Sequence, residues 1–295
     1  MQSPHQVMTS QTPPPPLRTG RLFRHPPLRR AGRERAAQAY WAAYQDRFEK
    51  HADMVAWLDA ITMPASGNWV YGRIPKTGTN SVLAALHQLE FGAPISTSIS
   101  EENNTSPDTA PHHLDEAGVF MSTLQTQHTP AVLENAFRFT VLRDPVKRAL
   151  SSFLYLGRSH VLATRQLAPV RLRMSAETGF DWNKDAHTRK GFEMMLDFIE
   201  SMQSISRLRL DRHIAPQTAS MDPSIFRPHL TGRTEEMGSF LAQLSDHFGA
   251  ELPQKIAKSK RNQTPKPETA IRLTKAIRSR VETIFAADME WYDSL

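Results

Sequence analysis

Twice in this chain a run of β-forming residues breaks into a short polar turn that opens directly into a helical pattern. The first is "WVYGRIPKTGTNSVLAAL" (69–86) and the second "FRFTVLRDPVKRALSSFLYL" (137–156). A strand that passes straight into a helix pairs most simply with a parallel neighbour, with the helix packed back on the sheet. A short strand around 227–232, followed by a helix over 234–248 that starts at Thr234, supplies a third unit. The order of elements predicts an α/β fold: a parallel sheet flanked by helices.

Helical spacing of Ala36, Ala39, Tyr40, Ala43, Tyr44, Phe48, Met54, Val55, Trp57 and Leu58 predicts one helix over 34–60. The pattern predicts further helices at 79–91, 188–210 and 268–287. Residues 92–118, rich in Ser, Thr, Asn and Pro, read as a long loop, and 160–187 as an irregular Arg-rich stretch. Loops of that length inside a domain are usually functional or mobile.

The 295 residues, 39% hydrophobic and 22% charged, suffice for one sizeable core. The absence of cysteine excludes disulfides, thiolate metal sites and cysteine nucleophiles. The formal charge of +6 is not spread over the fold. Residues 1–33 hold six Arg and no acidic residue, whereas the remainder balances 30 basic against 30 acidic residues. A basic site in the folded part must therefore be a local pocket for an anion rather than a whole charged face. Seven prolines in the same 33 residues point to a disordered or polyproline-like tail, with 34–295 as a single domain. A transit peptide is the alternative for that tail, and its prolines argue against the amphipathic helix such a peptide needs. No apolar run reaches membrane-spanning length and the N-terminus lacks the apolar core of a secretory signal, so a cytoplasmic protein is expected.

In the first turn Gly78 allows close approach of the backbone to a ligand. The free N–H groups of the following helix favour an anion there. Lys76 adds a positive charge, and Thr79 and Ser81 add hydroxyls. The Lys precedes the Gly, so this is not GxxxxGK[ST], and a capped strand-to-helix turn with a solvated Lys76 is the plain alternative. In the second turn Asp144 and Pro145 form a helix start. Arg143 ends the strand, and Ser151 follows eight residues later, roughly 9–10 Å along the helix. The two could converge on a second anion; an Arg–Asp surface pair with an exposed Ser is the alternative.

Together "PKTGTNS" and "RDPVKRALSSF" resemble the two donor motifs of the sulfotransferases, the 5′-phosphosulfate loop and the 3′-phosphate motif with Arg and Ser eight apart. The closest likeness is to carbohydrate sulfotransferases, including heparan-sulfate O-sulfotransferases and their bacterial relatives. It extends more weakly to "LTGRTEEMGSFLAQL" (230–244). The resemblance implies a P-loop-like α/β fold and 3′-phosphoadenosine 5′-phosphosulfate (PAPS) as co-substrate. It implies that Lys76, Thr77, Gly78, Thr79, Asn80 and Ser81 hold the 5′-phosphosulfate, with Asn80 standing where Thr or Ser is more usual. Arg143 and Ser151 would hold the 3′-phosphate. Two separate anion sites match a donor with two separated phosphate groups better than they match ATP.

Sulfuryl transfer, by analogy with phosphoryl transfer, asks for in-line positioning and charge stabilisation. Lys76 suits the bridging oxygen of the leaving group, and a histidine suits the acceptor hydroxyl. The first candidate base is His128, which resembles the catalytic His between the donor motifs of the 6-O-type heparan-sulfate enzymes. The alternative is His213 in "LDRHIAPQT", similar to an HWxPQ segment of the chondroitin-type enzymes. The pair His112 and His113, or a carboxylate, completes the set. Lys258, Lys260 and Arg261 in "AKSKRNQTPKP" are expected to fold over the nucleotide or to form a solvated loop. Arg158, Arg165, Arg171 and Arg173 face either an anionic acceptor or solvent. No metal is expected, because HxH and HExxH spacings are absent. The expected partner is a hydroxyl acceptor, by resemblance a carbohydrate, with no membrane or nucleic acid. The rivals are a nucleotide kinase using Asp144 as a Mg²⁺ ligand, and a non-catalytic nucleotide-binding protein.

Overall fold

A computed structural model describes residues 26–101, 104–106, 108–205, 210–257 and 271–295. Helices α1 (Arg30–Tyr44) and α2 (His51–Asp59) come first, then β1 (Ile61–Pro64), β2 (Trp69–Gly72) and α3 (Thr79–Phe91). β3 (Phe120–Ser122), α4 (Pro130–Asn135), β4 (Phe137–Leu142) and α5 (Pro145–Val161) follow. The second half holds α6 (Ala168–Thr178), α7 (Arg189–Ile205), α8 (Gln217–Ser220), α9 (Pro223–Phe226), β5 (Leu230–Arg233), α10 (Met237–Phe248), α11 (Gln254–Ala257), α12 (Lys275–Ile284) and α13 (Ala286–Asp293).

The sheet has five strands in the order β3-β1-β2-β4-β5. β2, β4 and β5 are parallel as expected, with Tyr71 opposite Phe139 and Phe139 opposite Leu230. The wholly parallel sheet is corrected at the other edge. β1 runs antiparallel to β2, and β3 antiparallel to β1, so the sheet is mixed. The cause is the short connection 65–68: Gly67 sits at φ +70° and its N–H donates to the Pro64 carbonyl, closing a turn too tight for a crossover.

Alternate residues of the central strands face opposite layers. Trp69, Tyr71, Phe139 and Val141 pack against Val82 and Leu86 of α3 and Phe240 and Leu244 of α10. Ile61, Met63, Val70 and Leu142 face Tyr40, Tyr44, Met54 and Leu58 of α1 and α2. A third apolar cluster joins α5, α6, α7 and α12 through Phe153, Leu156, Met174, Phe192 and Val281. The single helix expected over 34–60 is two helices. Tyr44 meets Trp57 edge-on at 6.0 Å and Phe48 lies 5.4 Å from it, so folding α2 back lets both helices bury aromatics in one core. The stretch 160–187 contains α6, and α1 begins at Arg30, inside the segment assigned to the tail.

Candidate donor and acceptor site

The turns that leave the C-terminal ends of β2 and β4, neighbouring parallel strands, lie side by side. In open α/β sheets this edge is the usual place for ligands. Gly78 is the N-cap of α3 at φ +88°, with no side chain capping the helix. The left-handed geometry favours glycine, and the uncapped first turn leaves its N–H dipoles to an anion. The Thr77 and Thr79 hydroxyls both donate to the Ile74 carbonyl, at 2.8 and 3.2 Å. Thr77 is fully buried. These two side chains brace the loop; it is the backbone beside them that can meet a phosphate. Asn80 is buried, and Ser81 continues the helix through its N–H bond to the Gly78 carbonyl at 2.9 Å.

Lys76 also adopts a left-handed conformation, φ +72°. Its ammonium lies 3.7 Å above the Tyr155 ring centroid. Burial, and then the positive charges of Arg143, Arg148 and Arg158, push it down to about 7. Every charge acting on Lys76 is thus a cation, and such a cluster is stabilised by an anion.

On the second turn, Asp144 caps α5 by accepting the Lys147 N–H at 2.8 Å, with Pro145 at the first helical position. The helix therefore starts two residues after Arg143. The Arg143 guanidinium donates to the Lys76 carbonyl at 3.1 Å, tying the two turns together. Its main chain is clamped by Gln217, which accepts the Arg143 N–H at 3.0 Å and donates to the Arg143 carbonyl at 3.0 Å. Gln217 is held in turn by Asp288 of α13, a buried carboxylate that accepts the N–H groups of Gln217 and Thr218 at 2.7 and 2.9 Å.

Arg148, Ser151 and Tyr155 follow one another at three- and four-residue spacing on one face of α5. Arg148 is 2% exposed and donates to the carbonyls of Pro75, Ala215 and Arg212 at 3.1, 2.7 and 2.9 Å. Burial pushes it down to about 10. It is a brace that joins the first turn to the segment 210–217. Ser151, mostly buried, lies one turn further on, between Arg148 and Tyr155.

A family model described as "Sulfotransferase family" matches residues 59–293. The chain belongs to the sulfotransferase family. No curated protein and no solved structure matches it. The matched span begins at the last residue of α2 and includes both turns, and membership in the family implies sulfuryl transfer.

The two candidate bases of this sulfotransferase lie at opposite ends of the sheet. His128 Nε2 is 3.1 Å from the carbonyl of Pro64, beside the 65–68 turn, and its own carbonyl accepts the Tyr40 hydroxyl. That turn enters β2, whereas Lys76 follows the strand's exit. The four residues of β2 alone separate the two ends by about 10 Å. His128 is thus not brought to Lys76, because after β3 the chain folds back toward the turn that joins β1 to β2. His213 is brought there. Its ring stacks on Tyr155 at 5.5 Å and 23°, the ring that also carries the Lys76 ammonium. His213 Nδ1 lies 2.8 Å from Asp211 Oδ1, which also accepts the His213 N–H at 2.9 Å. Burial pushes the Asp211 carboxyl up, but the hydrogen bond and charge of His213 outweigh it and hold the group below its ordinary value. An Nδ1–H donated to Asp211 leaves Nε2 as the proton acceptor.

His112 lies near His213; desolvation by the protein packed around it, and then the charge of Arg73, push it down. His113 is engaged by Glu101 and Glu116 at 2.7 and 3.1 Å. Arg158 acts on Lys76, while Arg171 donates to the Thr164 carbonyl and Arg165 and Arg173 are exposed. Lys258, Lys260 and Arg261 lie outside the described residues. Among the described residues no group of three His, Asp or Glu could hold a metal ion, and no helix is long and apolar enough to cross a membrane.

Proposed function

We propose that this chain transfers the sulfuryl group of PAPS to an acceptor hydroxyl, with a carbohydrate as the acceptor class. The observation that carries the reading is the junction of the two turns: the Arg143 guanidinium donates to the Lys76 carbonyl at 3.1 Å beside the uncapped start of α3. One turn offers a helix N-terminus and Lys76 to the 5′-phosphosulfate; the other offers Arg143 and Ser151 to the 3′-phosphate. When bound, PAPS supplies an activated sulfuryl group with a phosphate leaving group.

The chain's own residues do the rest. Lys76 carries positive charge to the bridging oxygen, where negative charge develops. His213, oriented by Asp211, accepts the proton of the acceptor hydroxyl at Nε2. His213 replaces His128 in this role because it shares the Tyr155 ring with Lys76. The carbohydrate class rests on the resemblance of the donor motifs. A kinase reading is weakened at Asp144, whose carboxylate is engaged in capping α5.

The test is calorimetric titration with 3′,5′-diphosphoadenosine, AMP and ATP. Selective binding of the bisphosphate, lost in Arg143→Ala, is expected; equal binding of ATP would refute the donor assignment. In transfer assays His213→Ala should lower kcat by about 10²–10⁴-fold, the usual worth of a general base, whereas His128→Ala should leave kcat per folded molecule within a few-fold. The reverse pattern would return the role to His128.

A further inference from the structure

Tyr155 stands at the junction of the two halves of the site, and neither donor motif assigns it a task. Its ring lies under the Lys76 ammonium at 3.7 Å and is stacked with His213 at 5.5 Å. Its hydroxyl donates to Gln166 Oε1 at 3.0 Å, and the same oxygen accepts the Thr105 hydroxyl at 3.2 Å from the long loop before β3. The ring is buried, so its orientation is set by packing at the face and a hydrogen bond at the tip. We propose that Tyr155 is a positioning residue: one fixed aromatic ring that keeps the Lys76 ammonium charged beside the first turn and holds the His213 ring in register with it.

The physical need is visible in the surroundings of Lys76. The groups acting on it are Arg143 at the end of β4, and Arg148 and Arg158 on α5, all cations. Asp211, the carboxylate bonded to the stacked His213, is engaged by that ring. The quadrupole of a desolvated aromatic face attracts an ammonium and has no attraction for the neutral amine. It therefore opposes the loss of the proton that burial and the three arginines favour. An aliphatic side chain of similar bulk would fill the space without that selectivity.

The role in transfer rests on the function proposed above; the ring–ammonium contact does not, and the first readout needs no donor. The protonation midpoint of Lys76 is measured by the pH dependence of its acylation rate, read by mass spectrometry. Tyr155→Phe, which keeps the ring and loses the Gln166 bond, should leave the midpoint within a few tenths of a unit. Tyr155→Leu should lower it by about one unit, a tenfold change in the proton equilibrium. The alkaline limb of kcat/KM for Tyr155→Leu should move down by the same amount, with a loss smaller at pH 6 than at pH 8. If both variants shift the midpoint equally, or neither does, the ring has no such role. Failure of the wild type to bind 3′,5′-diphosphoadenosine, with the Lys76 shift intact, would instead overturn the donor assignment and leave the ring's effect on Lys76 standing.

Discussion

Binding of the donor product should be accompanied by proton uptake, and Lys76 sets its size. In the free protein Lys76 titrates near 7, far below the ordinary lysine value of 10.5, through burial and three arginines. At pH 8 a group of that pKa is about one-tenth protonated, and at pH 7 about half. A bound bisphosphate adds negative charge to the cluster and restores the ammonium. About 0.9 proton should be taken up per molecule bound at pH 8; the Lys76 share falls to about 0.5 at pH 7 and close to none at pH 5, where the ligand phosphates instead release protons. Phosphate second ionisations fall near 6, so at pH 8 the ligand itself contributes little. Apparent affinity should weaken up to about tenfold per pH unit above 7. The assay is calorimetric titration with 3′,5′-diphosphoadenosine in buffers of different ionisation enthalpy, whose slope counts protons. A slope of zero at pH 8, or an unchanged slope in Lys76→Met, would refute the reasoning. The same shift acts on folding. Between about pH 7 and 10.5 the unfolded chain holds more protons at this site than the folded one. The free protein therefore gains stability as pH rises through that window, and Lys76→Met should flatten the gain.

Three further outcomes are expected. Arg148→Met leaves three carbonyls without their donor and should lower stability by about 3–5 kcal/mol in urea titrations, with an unchanged midpoint counting against the brace. Asp288→Asn turns one of the two oxygens that accept the Gln217 and Thr218 N–H groups and the Thr218 hydroxyl into a donor; it should cost about 1–3 kcal/mol of stability. It should also weaken 3′,5′-diphosphoadenosine binding through Arg143, an effect that Gln217→Ala should reproduce. Gly232→Ala would set a methyl 2.4 Å from the Phe240 ring, so a loss of about 1–3 kcal/mol is expected in thermal unfolding; a neutral result would mean that β5 and α10 can separate there.

The parallel half of the sheet and the helices that cover it were legible because strand, turn and helix signals coincide locally at 69–86 and 137–156. β1 and β3 were not. Ile61–Pro64 is buried throughout and so shows no alternation, and it directly follows a helical pattern. β3 has only three residues. The two strand-to-helix turns could be read from residue types, but the bonds their side chains make could not. Thr77 and Thr79 look like phosphate hydroxyls in sequence and bond the Ile74 carbonyl in the fold. On the acceptor side, spacing does not rank histidines, since His128 and His213 differ in which end of a strand they reach. Tyr155 carried a faint signal, one helical turn beyond Ser151, and Gln217 stood in the quoted "HIAPQ". Asp288, which reaches the site only through tertiary packing, carried none.

The clamp on Arg143 also has a consequence for the order in which the molecule forms. The first turn and the start of α5 can be built from nearby residues. Gln217 meets Arg143 across 74 positions, and Asp288 meets Gln217 across another 71. Contacts of such separation close late, because the chain between them must be ordered first. A nascent chain can thus fold both donor turns and still lack a fixed Arg143 until α13 docks. A nucleotide held through Arg143 would then also slow hydrogen exchange in α13, at the far end of that chain of bonds.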